Sequence, residues 1–482
     1  MPLIILLLNC TGCAWMPKAL DGFRDSIGLT PVQTNVKMQA PSAWQAPLPH
    51  AGKLGNLNNW WQQFNDPLLV QLIKAAQAVS PSIATAKSRI EQARAKQVSA
   101  DASLLPDLNA NASASRGLES LFFPAATISS IGLATQWELD IFGANQAARN
   151  AAQARFAGAT ANWHDARVLV AAEVANQYNT LRSCEAQLAF AQTDVNSRTE
   201  TARLTGEMSK AGFHAPADAA LANASAAQAT NTLLNQTARC ALAVKALVAL
   251  TGMAETGLRQ QLKTATGKLA QPVAIKVVEV PAETLAQRPD IILAAYEVIA
   301  ASADTSQMQA QRYPKISFSG KISSMYLEVA PTPKGGTVWS VGPLAVTLPI
   351  FDGGLRVANV KAARARYDEA SMIYAGKLRS AVREVEEALI NLQSMANRRA
   401  EAQKAVDGFN SSFNAKEALY KVGLASLFEL EDARRTKVQA QNILLDIQRE
   451  HIAAWIALYR ALGGGWNTAE ANDAESTTKL FN

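Results

Sequence analysis

Apolar and polar residues alternate one by one in four short segments of the chain. They run from Leu108 to Ser115, Ile131 to Ile141, Ile316 to Ser323 and Leu344 to Ile350. A period of two predicts β-strands with one apolar and one polar face. A soluble sandwich would show the same alternation. In a membrane, four strands are too few to close a barrel, so other copies of the chain would have to complete it.

After each pair of predicted strands the pattern changes to a helical period. Ala381, Val385, Ala388 and Leu392 follow one another at steps of three and four, as in a packed helical seam. No proline occurs from 144 to 210, and a rise of about 1.5 Å per residue makes this roughly 100 Å of helix. Such a length is typical of a hairpin that bridges two layers.

The two halves of the chain repeat each other. Pro81 matches Pro289 at an offset of 208 (289 − 81), and Arg155 matches Arg366 at an offset of 211 (366 − 155) that then holds without a gap. Each copy has the same order of patterns, namely helix, two strands and a long helical stretch. The sequence therefore predicts a tandem duplication.

A glycine interrupts each long helical stretch, Gly212 in SKAGFHA and Gly423 in YKVGLAS. We interpret each as the turn of a helical hairpin, where the chain needs a positive φ at the end of one helix. Ser426 and Glu429 then have the spacing of a capping box, and Pro216 suits the first turn of a helix.

The spacing of two cysteines agrees with this hairpin. Cys184 lies 28 residues before Gly212 and Cys240 lies 28 after it (212 − 184, 240 − 212). In an antiparallel hairpin they should face each other and could form a disulfide in an oxidising compartment. The alternative is a pair of buried free thiols.

Composition and motifs exclude several classes of function. The net charge of +6 is spread along 482 residues without a block of Lys or Arg, which gives no indication of nucleic acid as a partner. The four histidines are scattered, and His214 is interpreted as a solvated loop residue. No zinc, nucleophile-elbow or phosphate-loop motif occurs. We expect no enzyme activity, metal or cofactor.

The amino terminus, MPLIILLLNCTGC, is an apolar run of signal-peptide length. Its end resembles a bacterial lipobox, which makes Cys13 the candidate for lipidation and Ala14 a signal for the outer membrane. Cys10 stands where a lipobox normally has leucine, and no Lys or Arg precedes the run, so a misassigned leader without lipid is the alternative. No other apolar stretch of about 18 residues occurs, and we expect no transmembrane helix in the mature chain.

Several longer motifs resemble those of the TolC-type outer membrane factors, and most closely their lipoprotein branch, the OprM/NodT group. The motifs are NWWQQFNDPLL (58–68), ATQWELDIFG (134–143), RPD (288–290), GPLAVTLPIFDGG (342–354) and LYRALGGGW (458–466). The resemblance covers nearly the whole mature chain. It implies a mixed α and β membrane protein: a homotrimer with a shared twelve-stranded β-barrel that continues into a long periplasmic α-helical barrel.

Repetition and resemblance together predict the domain organisation. The predicted parts are a signal peptide (1–12), a lipidated and equatorial segment (13–80), a first repeat (81–252) with strands at about 107–141 and a hairpin at about 144–250, an equatorial linker (253–288), a second repeat (289–463) with strands at about 315–350 and a hairpin at about 355–461, and a polar tail (464–482).

The resemblance also assigns roles to the hairpin tips. A periplasmic adaptor, the membrane fusion protein of a tripartite pump, is expected to dock there. The tip residues that match the family are Gly212, Phe213, Val422, Gly423, Leu424 and Ser426. Ala215 stands where Ser426 stands in the second copy, so the two tips need not dock the adaptor equally.

Three carboxylates just beyond the tips match acidic residues of the family's periplasmic gate, namely Asp218, Glu429 and Asp432. Three chains would concentrate these charges at the axis. Helix capping is the alternative role for Glu429. Ala425 replaces a basic gate residue of some members, which favours apolar packing near Leu424 in the closed state.

These features predict that the protein is the passive exit duct of an efflux pump in the bacterial outer membrane. The expected partners are outer-membrane lipid, the adaptor and an inner-membrane pump of the resistance-nodulation-division class, and the expected cargo is small toxic molecules or drugs. Two alternatives are a type I secretion conduit for polypeptides and a lipid-anchored periplasmic coiled-coil scaffold without a pore. Strands with an apolar face favour a duct over a scaffold.

Overall fold

The computed structural model describes residues 57–117, 125–269, 285–328 and 334–464. They divide into two compact units. The first contains Ser88–Thr160 and Leu293–Gly376, and the second contains Ala161–Ile292, the residues from Lys377 onward and the described residues up to Lys87. The predicted signal peptide, residues 13–56 of the lipidated and equatorial segment, residues 270–284 of the linker and residues 465–482 of the tail lie outside the described residues.

The elements follow the predicted repeat. In chain order they are a 3-10 helix (Leu57–Phe64), α1 (Pro67–Val79), α2 (Pro81–Ala102), β1 (Asp107–Gly117), β2 (Ala126–Leu139), α3 (Ala144–Lys210), α4 (Pro216–Thr251), α5 (Glu255–Leu262), a 3-10 turn (Lys263–Ala265), α6 (Pro289–Ala310), β3 (Lys315–Glu328), β4 (Lys334–Thr347), α7 (Leu355–Lys421) and α8 (Leu427–Ala461).

The first unit contains one antiparallel sheet with the strand order β1-β2-β3-β4. Its register places the predicted apolar positions opposite one another: Leu133 pairs with Ala110 on β1 and with Ile322 on β3. Trp137 pairs with Phe318, which pairs in turn with Leu344. One face of the sheet is therefore apolar across all four strands, as the alternation predicts.

The pattern did not predict the first half of β4. A bulge between Phe318 and Gly320 shifts the register, so that Val341 and Leu344 lie on the same face although they are three residues apart. Gly342 and Pro343 occupy this irregularity, where a proline without an N–H does not interrupt the ladder. Before the bulge, Gly335 and Thr337 lie on the apolar face and Val338 lies on the polar face, so the alternation is visible only from Leu344 onward.

All four strands begin earlier than the alternation predicts, and β2 and β4 also end earlier. They end at Leu139 and Thr347 rather than at Ile141 and Ile350. After β2, the carboxylate of Asp140 accepts hydrogen bonds from the backbone N–H groups of Asn145 (3.1 Å) and Gln146 (2.7 Å). The chain therefore turns to begin α3, because the first N–H groups of a helix need such acceptors.

The second unit contains the tips and most of the length of both hairpins. The α7 seam is buried as predicted, since Ala381 and Val385 are fully buried and Leu392 is nearly so. Arg288 of the RPD motif is buried, and it donates to the carbonyl of Ala461 (3.0 Å) and to the carboxylate of Glu384 (2.9 Å). The motif thus ties the end of α8 to α7.

Among the described helices, α4 is long and apolar enough to cross a membrane by length and composition alone. This is weak evidence for a membrane span, because a helix that packs inside a soluble region passes the same test. Alanines give α4 much of its apolar character, and several of them, such as Ala222, Ala229 and Ala243, are buried within the unit.

Candidate functional site at the hairpin tips

Both hairpins turn through the same backbone motif. Gly212 and Gly423 have φ values of 81° and 78°. After α3, Phe213 N–H donates to the carbonyl of Met208 (2.9 Å), and after α7, Leu424 N–H donates to that of Leu419 (2.9 Å). These are Schellman caps, in which a left-handed residue, usually glycine, ends the helix. The predicted role of both glycines is confirmed.

The helices that follow the tips begin differently. Ser426 forms the predicted capping box: its hydroxyl accepts from the N–H of Glu429 (3.2 Å), and Glu429 accepts from the N–H of Ser426 (2.9 Å). At the first tip Ala215 provides no side-chain cap, and Pro216 occupies the first turn. The substitution of alanine for serine therefore removes one cap without changing the turn.

The tips expose apolar side chains. Phe213 is 78% exposed and Leu424 is 75% exposed, and Val422 and Phe428 are also mostly exposed. Three of the four residues belong to the second tip, and clustered exposed apolar side chains are typical of interaction sites. Leu424 and Phe428 do not pack onto the core of their own chain.

The predicted gate carboxylates have partners within the chain. Glu429 accepts from Lys416 on α7 (2.7 Å) as well as from Ser426. The bond from Lys416, followed by that from Ser426, lowers the pKa of the exposed Glu429 carboxyl to about 2. Asp432 pairs with Arg435 one turn further along α8. Glu429 therefore combines the capping role with a tie between α7 and α8.

Asp218 contacts the histidine of its own tip. Its Oδ2 atom lies 3.6 Å from Nδ1 of His214, and the His214 ring lies 6.4 Å from that of Tyr420. His214 lies in the loop as predicted, but its side chain is only 24% exposed and is therefore less solvated than expected. Packing against the second hairpin, which spacing alone does not reveal, accounts for the difference.

Beneath the tips a small core joins the two hairpins. Its buried residues are Ala202, Ala222, Phe413, Tyr420, Leu427 and Leu430. The hydroxyls of Tyr420 and Thr205 lie 2.7 Å apart, which satisfies two buried polar groups with each other. This core positions each tip relative to the other.

Further from the tips, a buried ionic network joins three helices, and the sequence analysis did not predict it. Glu431 on α8 accepts from Arg198 on α3 (3.0 Å) and from Ser225 on α4 (2.7 Å). It also pairs with Arg434, whose side chain is 2% exposed and donates to Thr201 (3.0 Å). Asp194 also accepts from Arg198 (2.9 Å). The network therefore contains two basic and two acidic side chains, and its charges balance.

The duplicated sequence contains no second copy of this network. Under the offset of 211, Glu431 and Arg434 correspond to Ala220 and Asn223, and Arg198 corresponds to Phe409. The network is thus specific to the contact of α8 with the first hairpin. A comparison of charged positions between the two repeats is the one sequence signal that could have found it.

Cys184 and Cys240 are joined by a disulfide in the structure, with their Cα atoms 5.5 Å apart. Both residues are buried between α3 and α4. The side-chain amide of Gln236 covers the bond on one side and donates to the Cys184 carbonyl (3.2 Å). This is the pairing that equal spacing from Gly212 predicts.

Within the described residues no group of three or more His, Cys, Asp or Glu side chains could hold a metal ion. Cys13, the predicted lipidation site, lies outside them.

The chain thus combines a sheet that has an exposed apolar face with two long helical hairpins. The family model for outer membrane efflux proteins matches residues 72–253 and 280–464, which is more than half of the chain. The chain therefore belongs to the outer membrane efflux protein family, and it is an outer membrane component of efflux and not an enzyme.

Particular relatives are similar along most of their length. The outer membrane protein OprJ of Pseudomonas aeruginosa is 29% identical over 419 residues, which cover 84% of this chain and 86% of OprJ. The pyoverdine export outer membrane protein OpmQ of Pseudomonas putida is 27% identical over 454 residues, which cover 91% of this chain and 94% of OpmQ. The crystal structure of the outer membrane protein VceC of Vibrio cholerae has a TM-score of 0.74 at 26% identity and covers 86% of this chain and all of VceC.

Proposed function

We propose that three copies of this chain form an exit duct through the outer membrane. The observation that carries the proposal is the four-stranded sheet, which has an exposed apolar face and leaves the outer edges of β1 and β4 without partners among the described residues. Unpaired strand edges next to an apolar face are costly in lipid, and barrels remove them by closure. Three sheets joined edge to edge make a closed barrel of twelve strands.

The two faces of the sheet have the polarity that such a barrel needs. Leu133, Ile322, Trp339 and Val346 lie on the apolar face and are 45% to 69% exposed. The opposite face bears Asn109, Asn111, Ser113, Gln136, Ser319 and Ser340. An outer-membrane barrel presents its apolar residues to lipid and its polar residues to the lumen. The apolar face therefore contacts lipid and the polar face lines the duct.

The hairpins extend the duct into the periplasm and end at its entrance. Phe213, Val422 and Leu424, exposed beside the two tip glycines, form the surface on which a periplasmic adaptor docks. Asp218, Glu429 and Asp432 surround the periplasmic aperture in three copies. Cys13 carries a lipid that anchors the chain to the outer membrane.

Transport through the duct is passive. Energy comes from an inner-membrane pump of the resistance-nodulation-division class, which passes small toxic molecules or drugs to the duct through the adaptor. The name of the relative OpmQ refers to pyoverdine export, and export of small molecules is accordingly the function proposed for this chain.

Paired substitutions on the two faces of β2 test the barrel. Leu133→Arg places a charge on the lipid side, at a cost of about 2–4 kcal/mol near the membrane midplane. Ala134→Arg, one residue along, places the same charge in the lumen and is the matched control. We expect Leu133→Arg to reduce the assembled trimer in outer-membrane fractions and Ala134→Arg to leave it unchanged. Equal assembly of both variants would contradict the assignment.

A further inference from the structure

Lys321 lies on the polar face of the sheet, in a row of otherwise uncharged residues. It pairs with Ala134 on β2 and with Ser340 on β4, and Ala134 pairs with Asn109 on β1. These four residues form one row across the sheet, which we call the Lys321 row. Its only ionisable side chain is the lysine, and Lys321 is exposed.

The other charged residues on this face of the described strands are Asp107, Glu138, Lys315 and Lys334. Lys315 pairs with Glu138 (3.5 Å). Asp107 accepts from the backbone N–H of Gln136 (2.6 Å) and from the side-chain amide of Asn109 (3.0 Å). Glu138 is thus balanced by a lysine, Asp107 is held by neutral donors on β1 and β2, and Lys321 has no ionic partner among the described residues.

The face is concave where Lys321 lies. A groove of about 710 Å³ is lined by Lys321 and by its neighbours Asn109, Gln136, Ser319 and Ser340, with Asp107 in the adjacent row. A charge in a concave site with low-dielectric walls attracts counter-ions more strongly than a charge on a convex surface. The side chain therefore projects its charge into a confined aqueous volume.

We propose that Lys321 determines charge preference in the outer-membrane part of the duct: three copies form a ring of positive charge at one height of the lumen, which concentrates anionic solutes such as carboxylates and sulfonates over cations. This inference rests on the proposed trimeric barrel. Rings of basic side chains favour anions in pores for the same electrostatic reason.

A reporter thiol directly opposite the lysine tests the ring without involving the periplasmic aperture. Ala134→Cys provides the thiol, and its rates of modification by a negatively charged sulfonate and a positively charged trimethylammonium methanethiosulfonate reagent are compared in membrane vesicles. The chain without an added cysteine gives the background. The ratio of the anionic to the cationic rate should fall about threefold on adding Lys321→Gln and about tenfold with Lys321→Glu.

Ser130→Cys is the matched control on the same face. It lies four residues along β2, about 13 Å away at 3.3 Å per residue, and charges further apart than about 8 Å are largely screened at physiological ionic strength. Its rate ratio should not respond to substitution of Lys321. An Ala134→Cys ratio that is equally unresponsive would overturn the charge ring.

Leu133→Cys separates failure of the ring from failure of the barrel. A lipid-facing thiol reacts slowly with both charged reagents, so Leu133→Cys should react far more slowly than Ala134→Cys. If the two positions react equally fast, the barrel assignment itself is wrong. If instead the two rates differ as expected and the ratio of anionic to cationic rates at Ala134→Cys does not change on substitution of Lys321, only the charge ring is wrong.

Discussion

Arg198 on α3 and Glu431 on α8 are hydrogen-bonded at 3.0 Å, although 233 residues separate them in sequence. Their side chains are 15% and 16% exposed, so the pair is largely removed from water. Glu431 also binds Arg434, which is buried almost completely. One carboxylate thus holds the start of the second hairpin's returning helix against the first hairpin.

Removal of the Glu431 charge should loosen this contact. Glu431→Gln leaves Arg434 buried without its counter-ion, and breaking one side of a buried pair costs about 3 kcal/mol or more. We expect faster amide exchange in the first turns of α8, measured by hydrogen exchange and mass spectrometry. Asp432→Asn is the control, because Asp432 and Arg435 form an exposed pair worth at most about 1 kcal/mol. Equal protection in both variants would contradict a stabilising role for Glu431.

Two glycines of the second hairpin, Gly423 and Gly408, should change the stability of the protein in opposite directions when each is replaced by alanine. Gly423→Ala places a Cβ on a residue with a φ of 78° and should destabilise the tip by about 1 kcal/mol, although the surrounding space is open. Gly408→Ala, within α7 and equally open, should stabilise the helix by up to about 1 kcal/mol. Thermal unfolding followed by circular dichroism measures both. A gain in stability from Gly423→Ala would show that the left-handed turn is not required.

The disulfide should form in the protein that matures in the periplasm. Alkylation of the denatured chain should label neither Cys184 nor Cys240 unless a reductant is added. Closing a segment of 56 residues restricts the unfolded chain by about 4 kcal/mol in the chain-entropy account. The double variant Cys184→Ser with Cys240→Ser should therefore have a lower thermal midpoint. Labelling of both thiols without reductant would rule out the bond.

The tie between Lys416 and Glu429 should persist in acid. Because the pKa of Glu429 is lowered to about 2, its stabilising contribution is present above the ordinary glutamate pKa and is lost only as the pH falls through about 2. Pepsin at about pH 3, a value between these two pKa values, should therefore spare the wild-type tip and cleave near Phe428 in Lys416→Met. Lys404→Met, which breaks an exposed pair with Glu401 on the same helix, is the control. Cleavage of wild type and Lys416→Met at the same rate would show that the ion pair of Lys416 and Glu429 does not stabilise the tip in acid.

Local patterns predicted much of the fold. The caps at Gly212, Gly423 and Ser426 depend on residues a few positions apart, and the apolar face of β1 to β3 follows a strict alternation. A sequence reports such features because a backbone turn or a strand face is decided by its own residues. The position of the disulfide followed from the hairpin in the same way.

The features that the sequence did not predict depend on distant residues. The bulge at Gly342 and Pro343 is defined by its pairing with β3, and the partners of Glu431 lie on two other helices. The position of His214 is set by packing near Tyr420 of the other hairpin. Side-chain spacing along one helix or strand gives no information about such contacts.

The mass of the intact protein after gentle detergent extraction is the most direct test of the trimeric barrel. Native mass spectrometry, with and without dissociation to single chains, gives the number of copies and the mass of each. We expect a complex of three chains, each beginning at Cys13 with acyl groups attached. A protein that is monomeric after extraction under conditions that preserve a known outer-membrane trimer would contradict the shared barrel.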